Sequence, residues 1–159
     1  CIRDRDILEL VETAVSQIPE EILPDLPPTK DLPNVPGWHS FEWTIWEIGE
    51  SIRNLLKKHP SLRKDHELQD AFLAVAVDRR AKRGRQSFFF LLGYKACSRC
   101  ADGVARQLDD PHVTGHAVKA LRKMDVGDFT GQVCGLTDHP TTWIRNEARK
   151  YVAKYDPNA

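Results

Sequence analysis

The sequence predicts an all-α protein made of one domain, and three observations support this. Apolar residues recur along the chain at the three- and four-residue spacing of amphipathic helices. No stretch shows the alternation of apolar and polar residues that is typical of a half-buried strand. The length of 159 residues, with 41% hydrophobic and 29% charged residues, suits a single domain, residues 1–159, that buries a core without disulfides or metals.

The first predicted helix covers residues 5–18, where apolar side chains share one face. Asp4 and Asp6 lie near its N-terminal end, which the helix dipole makes favourable for negative charge. Pro19 ends the helix, because proline has no amide hydrogen to donate.

Residues 19–37 form a proline-rich segment that we call the strap. Six of its residues are proline, so the strap must run extended. Two interpretations stay open: a flexible linker, or a segment packed over the helices. Four apolar side chains between the prolines would gain from burial, which favours the packed segment. They are Leu23, Leu26, Leu32 and Val35.

The second and third predicted helices are long. Residues 40–58 place six apolar side chains on one stripe, and Lys57 and Lys58 lie at the negative C-terminal end of that helix. Residues 65–81 form the third predicted helix, which continues into a basic run. Gly84 supplies the break after it.

From residue 87 onward the predicted helices are shorter. Residues 87–95 are apolar on nearly every side, as expected of a helix between neighbours, and residues 97–108 carry one apolar stripe. Three more helices are predicted where a capping residue or a first-turn proline occurs. They start at Asp110-Pro111, at Asp128 and at His139-Pro140.

Two of these helices repeat one pattern at an offset of 31 residues, and each follows a proline. A unit of two helices cannot bury its apolar face alone, so such units stack on one another and expose an extended binding surface. The first set is Val113, Ala117 and Leu121, and the second is Ile144, Ala148 and Val152.

This pattern resembles the HEAT repeat, whose units carry a proline near the helix start, an arginine after an apolar residue, and then a small alanine. Ile144-Arg145 with Ala148 matches it, whereas Val113-Thr114 has threonine in place of the arginine. The resemblance covers residues 87–156. It implies antiparallel helix pairs stacked as a short α-solenoid, with residues 1–85 as longer, non-repetitive helices beside it.

The formal net charge of zero hides an asymmetry between the two ends of the chain. Residues 1–37 carry 3 basic and 8 acidic side chains, whereas residues 78–159 carry 15 and 9. A neutral chain argues against a dedicated nucleic-acid binder, but the basic half keeps that alternative open. The candidate binding residues are Arg79, Arg80, Arg83, Arg85, Trp143, Arg145, Arg149 and Lys150.

The HEAT resemblance implies a non-enzymatic module that binds a macromolecule, and we expect a protein partner. The alternative is a DNA-binding or DNA-repair protein, because Trp143–Arg149 resembles the last helices of the HEAT-like DNA alkylation glycosylases. That resemblance implies that the basic half grips phosphates, with a carboxylate such as Asp138 or Glu147 near the base. The concave cleft of those enzymes, with its aromatic residues and aspartate, has no clear counterpart in the sequence.

Cys97-x2-Cys100 followed by His112-x3-His116 has the ligand types of a Cys2His2 zinc site, at nearly its spacing. The turn at residues 109–111 falls where the helix of a zinc finger would already be running. Core cysteines and surface histidines are therefore the favoured interpretation. We expect no metal, no cofactor and no catalytic residue.

No run approaches the roughly 18 apolar residues of a membrane-spanning helix, so we expect no membrane partner. Four cysteines within helical segments suit reduced thiols, which favours a cytoplasmic location. No signal segment is visible, and a first residue Cys1 in place of methionine indicates a trimmed chain.

Overall fold

The computed structural model describes residues 1–158 and is all-helical, which confirms the predicted class. Eight α-helices and three short 3-10 segments occur within this part of the chain. The helices are α1 Asp4–Ser16, α2 Ser40–Lys58, α3 His66–Ala76, α4 Gln86–Leu92, α5 Ala101–Ala105, α6 Thr114–Met124, α7 Thr130–Cys134 and α8 Thr142–Tyr155. The 3-10 segments are Pro60–Lys64, Arg79–Arg85 and Lys95–Cys100.

The third helix ends earlier than the sequence predicts. It stops at Ala76, and the basic run forms the separate segment Arg79–Arg85. The Asp78 side chain accepts from the Arg80 amide at 3.1 Å and thereby caps a new turn. Within the segment Lys82 has φ 52° and ψ −130°, a backbone conformation that favours glycine.

Two other predictions of helix extent were also wrong in detail. The predicted helix 97–108 divides into the segment Lys95–Cys100 and the short α5. α6 begins at Thr114 and not at Pro111, because residues 110–113 first form a turn in which the Val113 amide donates to the Asp110 carbonyl at 3.0 Å.

The helices pack in an order that largely follows the chain. α2 contacts α1, α4 and the segment Arg79–Arg85, while α4 contacts α3 and α6. α6 in turn packs on α5 and α8, and α8 also packs on α7. One continuous hydrophobic core results, in which Ala117 and Ala148, equivalent in the 31-residue pattern, are both fully buried.

Close approach of α6 and α8 depends on a glycine. A Cβ atom at Gly115 would lie 2.3 Å from the Trp143 ring, so any other residue would displace that ring. Gly131, by contrast, faces open space with nothing within 4 Å of a Cβ at that position.

The strap contains no helix, but the prediction that it runs extended throughout was wrong. Residues 30–35 include bends and a turn, and the chain reverses so that Leu26 and Gly37 form an isolated antiparallel bridge, the only β-type pairing in residues 1–158. Burial of its apolar side chains does not hold it in place, contrary to the argument from sequence. Leu32 is 62% exposed and Val35 is 42% exposed. Polar contacts to its backbone and to one aspartate hold it instead.

Within residues 1–158, no helix has both the length and the apolar character that crossing a bilayer requires.

Candidate functional site

The basic run is largely inside the protein. Arg85 is fully buried, although the sequence suggests it as a binding residue. Its Nε donates to the Lys82 carbonyl at 2.8 Å, and Nη1 donates to the Ala76 carbonyl at 3.3 Å and to Gln107 Oε1 at 3.1 Å. Nη2 donates to Asp110 Oδ2 at 2.5 Å. The guanidinium group therefore joins the basic run to the turn before α6 and is not free to bind a surface ligand.

Arg83 is 8% exposed and holds the C-terminal end of the strap. Its Nη1 and Nη2 donate to the carbonyls of Pro36 and Gly37 at 2.9 and 2.7 Å. Its backbone amide donates to Oε1 of the buried Glu42 at 3.0 Å. The guanidinium also lies over the Trp38 ring, 5.2 Å from the centroid, where a cation is attracted to the aromatic face.

Lys82 holds the other end of the strap. Its Nζ donates to the Leu23 carbonyl at 2.8 Å and lies 2.5 Å from Asp25 Oδ1. His112 Nε2 lies 3.1 Å from the same carboxylate oxygen. Partial burial opposes ionisation of Asp25, but hydrogen bonds from Lys82 and His112 outweigh it and leave the pKa of that carboxyl below its usual range. An ionised Asp25 therefore ties the strap to two separate elements.

The other two arginines of the run are exposed and paired with nearby carboxylates. Arg79 Nη2 lies 2.8 Å from Asp109 Oδ1, and Arg80 Nη2 lies 2.6 Å from Asp78 Oδ2. Of the four predicted binding arginines in this run, these two remain at the surface.

The basic residues of α8 that the sequence predicts to bind a ligand already contact other groups of the protein. Arg145 donates to the His139 carbonyl at 2.9 Å, and Arg149 donates to the Thr137 carbonyl at 3.0 Å. Lys150 Nζ lies 3.7 Å from a Glu147 oxygen. These three side chains therefore already have partners within the chain.

The two carboxylates suggested by the glycosylase resemblance are also paired. Asp138 lies 3.6 Å from Arg149, and Glu147 lies 3.1 Å from Arg122. Trp143, in contrast, is 43% exposed to solvent.

The four candidate zinc ligands do not converge. Cys97 and Cys100 are 1% and 2% exposed and belong to the hydrophobic core. His112 pairs with Asp25, while the His116 ring packs edge-on against Trp143 at 5.1 Å. Within residues 1–158, the group of three potential ligands that does come together contains none of these four residues.

That group is Asp4, Asp65 and Glu67, whose oxygens lie within 4.8 Å of one another. The structure already gives Asp65 a role: its Oδ1 accepts from the amides of Glu67 and Leu68 at 2.9 and 3.2 Å. It caps the N-terminus of α3, and no further ligand is needed to explain its position.

A cleft of about 420 Å³ lies where the strap passes the N-terminal ends of α2 and α8 and the turn before α6. We call it the strap cleft. Trp38, Trp143 and Val35 give it an apolar surface, and Asp25 and His112 lie on its wall. Its volume falls within the range of about 300–1,000 Å³ that is usual for binding sites.

Neighbouring aromatic rings pack against both tryptophans of the strap cleft. Trp38 stacks on Trp43 with ring centroids 4.4 Å apart, and Trp143 contacts His116. Fixed aromatic rings bind a partner with little loss of side-chain entropy. Asp25 is paired with Lys82 and His112, and Arg83 donates to carbonyls of the strap. The cleft is therefore better suited to binding than to acid–base chemistry.

The sequence singled out Arg83 and Trp143, and the structure brings both to the strap cleft. It did not single out Asp25, Lys82 as an anchor, or Trp38. The one available signal was an aspartate next to a proline, Pro24-Asp25, in a proline-rich strap that also carries Glu20, Glu21 and Asp31. Only the fold shows that this aspartate faces Lys82 and His112.

No protein-family model matches the chain, and no curated protein and no solved structure matches it.

Proposed function

We propose that this protein is a non-enzymatic interaction module that binds an extended segment of a partner protein in the strap cleft. Two tryptophans that line this cleft, the half-buried Trp38 and the exposed Trp143, carry the proposal. Aromatic residues dominate the binding energy of protein interfaces, and grooves lined with them bind extended proline-containing segments. The HEAT-like stacking of helix pairs, with the cleft at its edge, is part of the same proposal.

The strap indicates what kind of partner segment could bind beside it. The strap is a non-helical segment rich in proline and apolar residues, and Lys82 and Arg83 of the segment Arg79–Arg85 hold it through its backbone carbonyls. Proline-rich segments suit such a site because they are extended before they bind and lose little entropy. We therefore propose a partner segment that alternates proline with apolar residues.

DNA binding is the second candidate, and it has less support. Phosphate binding requires cations that are free to replace counterions. Arg145, Arg149 and Lys150 instead have partners within the chain, and Arg83 and Arg85 are buried.

The test is a titration of the full chain with a fluorescently labelled peptide of alternating proline and leucine, followed by anisotropy. We expect saturable binding, no binding of a matched serine peptide, and at least about tenfold weaker binding by Trp143→Ala, since truncating an anchoring tryptophan costs ~2 kcal/mol or more. Leu32→Ala is the control, because Leu32 is also an exposed apolar residue but does not line the cleft. Absence of saturable binding, or equal affinity for Trp143→Ala, would refute the proposal.

A duplex oligonucleotide titrated at several salt concentrations separates the two candidates. We expect no binding at low salt. Binding that weakens steeply with salt would instead favour the DNA-binding alternative.

A further inference from the structure

A second cavity, of about 200 Å³, lies on the far side of His116 from the strap cleft, between α2, α4 and α6. We call it the basic pocket. Three cationic side chains line it, one from α2 and two from α6. Three aromatic rings from α4 and the residues just after it also line it. These side chains are Arg53, Lys119 and Lys123, with Phe89, Phe90 and Tyr94. No carboxylate is among its lining residues.

Two of the cations are held by the same aromatic ring. Arg53 Cζ lies 4.5 Å from the centroid of Phe90, and Lys119 Nζ lies 5.7 Å from it. Cation–π attraction stabilises each cation there, and both cations line the same cavity. An anion bound in the cavity would be attracted by both.

The positive charge of the basic pocket is only partly balanced by the protein. Glu50 lies 3.6 Å from Arg53, at the edge of the pocket. Lys119 and Lys123 have no ion pair with any residue in the described part of the chain, residues 1–158. The pocket therefore offers about two uncompensated charges to a ligand.

His116 contributes an unused hydrogen-bonding group. Its ring packs edge-on against Phe90 at 5.5 Å and against Trp143, and neither ring nitrogen has a hydrogen-bond partner within residues 1–158. Burial, helped by the charge of Lys119, lowers the pKa of His116 to about 4. The imidazole is therefore neutral near pH 7 and can donate one hydrogen bond into the pocket.

We propose that the basic pocket binds a small phosphate monoester, through Arg53, Lys119 and Lys123 with a hydrogen bond from His116. A phosphate monoester carries close to two negative charges at neutral pH and several acceptor oxygens, which match the uncompensated cations and the imidazole donor. The cavity is smaller than the usual drug-sized site, so it suits a small ester or a phosphorylated side chain. His116 lines both cavities, but the three cations line the basic pocket and not the strap cleft, so this proposal does not depend on the function proposed for the cleft.

The test is isothermal titration calorimetry of the full chain with two probes: glycerol 3-phosphate, and a blocked tripeptide with a central phosphoserine. We expect saturable binding of at least one probe, and the probe that binds more tightly identifies the source of the phosphate. Glycerol and acetate, which lack the dianion, are expected not to bind.

Charge-matched variants locate the binding. Lys119→Gln and Lys123→Gln each remove one pocket cation and are expected to weaken binding by tenfold or more, whereas Lys58→Gln removes an exposed lysine outside the pocket and is expected to have no effect. The ring resonances of His116 are expected to shift on addition of the bound probe and to stay unchanged in the Lys119→Gln variant. Circular dichroism checks that each variant is folded.

Two results would overturn the proposal: no saturable binding of either phosphate probe, or equal affinity of the wild type, Lys119→Gln and Lys123→Gln. Both concern the basic pocket alone. Peptide binding in the strap cleft by Lys119→Gln is expected to remain unchanged, so failure of one proposal is distinguishable from failure of the other.

Discussion

Arg85 donates to Asp110 across 25 residues of sequence, and this pair joins the basic run to the turn before α6. Both side chains are shielded from solvent, Arg85 fully and Asp110 nearly so. Three further acceptors, Gln107 Oε1 and the carbonyls of Lys82 and Ala76, also accept hydrogen bonds from the guanidinium group. The Arg85 side chain is therefore fully buried, but hydrogen bonds and an ion pair hold it there, not apolar contacts.

Removal of one member of this pair is expected to be costly. Arg85→Met leaves Asp110 buried without its cation, and loss of one partner of a buried pair costs about 3–5 kcal/mol. Urea unfolding measures the change. Arg80→Gln, which breaks the exposed pair with Asp78, is the control and should leave the urea midpoint nearly unchanged. Equal midpoints for the two variants would contradict the assigned role of Arg85.

The same pair predicts how stability depends on pH. Burial raises the pKa of Asp110, but the charge and hydrogen bond of Arg85 outweigh this and leave the pKa below its ordinary value of 3.8. A carboxyl with a lowered pKa in the folded state stabilises the protein fully above pH 3.8 and loses that contribution as pH falls through the folded pKa. The gap in urea midpoint between wild type and Asp110→Asn should be constant above that pH and shrink below it. A gap that widens on acidification would contradict the assignment.

Lys82 combines an unfavourable backbone conformation with a structural side chain. Lys82→Ala and Lys82→Gly both remove the ammonium group that holds Leu23 and Asp25, so both should make the strap more sensitive to limited proteolysis. Glycine also relieves the positive φ of 52°, which costs other residues about 1–3 kcal/mol. Lys82→Gly should therefore unfold at higher urea than Lys82→Ala. The reverse order would show that the backbone is not strained there.

Gly115 and Gly131 make a matched pair of helix glycines. Gly115→Ala places a methyl group against the Trp143 ring, and such overpacking costs about 1–3 kcal/mol and should change the tryptophan fluorescence. Gly131→Ala meets no neighbouring atom and should stabilise the protein by about 0.5–1 kcal/mol, because alanine loses less entropy in a helix. Thermal unfolding with fluorescence detection measures both. Destabilisation by both substitutions alike would contradict the close contact at Gly115.

The four free cysteines should differ sharply in reactivity. Burial raises the pKa of the Cys97 thiol to about 11, and it also raises the pKa of Cys100. Cys1 and Cys134 are exposed. A thiol reagent that absorbs on reaction should therefore label two cysteines quickly in the native protein and all four in urea. Cys134→Ser should lower the fast count to one; rapid labelling of Cys97 would contradict its buried position.

Helical periodicity was sufficient to predict the fold class, because each amphipathic stretch must bury its own apolar stripe. Val113, Ala117 and Leu121 were placed inside for that reason, and all three are buried. The limits of the helices were less predictable. Pro111 is a favourable first helical residue, but the Asp110 side chain accepts from the His112 amide at 3.0 Å and turns the chain before α6 begins.

The candidate site was predictable only in part. Trp143 was identified from the sequence because an aromatic residue beside Arg145 suggested a binding surface, and it is exposed. Arg83 and Arg85 belong to a short stretch rich in basic residues, 79–85, and such a stretch usually marks a solvated surface. Their burial depends on acceptors contributed by Glu42, by the strap and by Asp110, all distant in sequence.

The sequence by itself determined broadly which stretches are helical and that residues 19–37 are not, because both follow from side-chain spacing and from the chemistry of proline. Only the tertiary structure decided how those parts are held together. Apolar burial alone would leave the strap loose, since its leucines and valine remain largely exposed. Buried cations hold it instead, because Lys82, Arg83 and Arg85 reach acceptors that come close only in the folded chain.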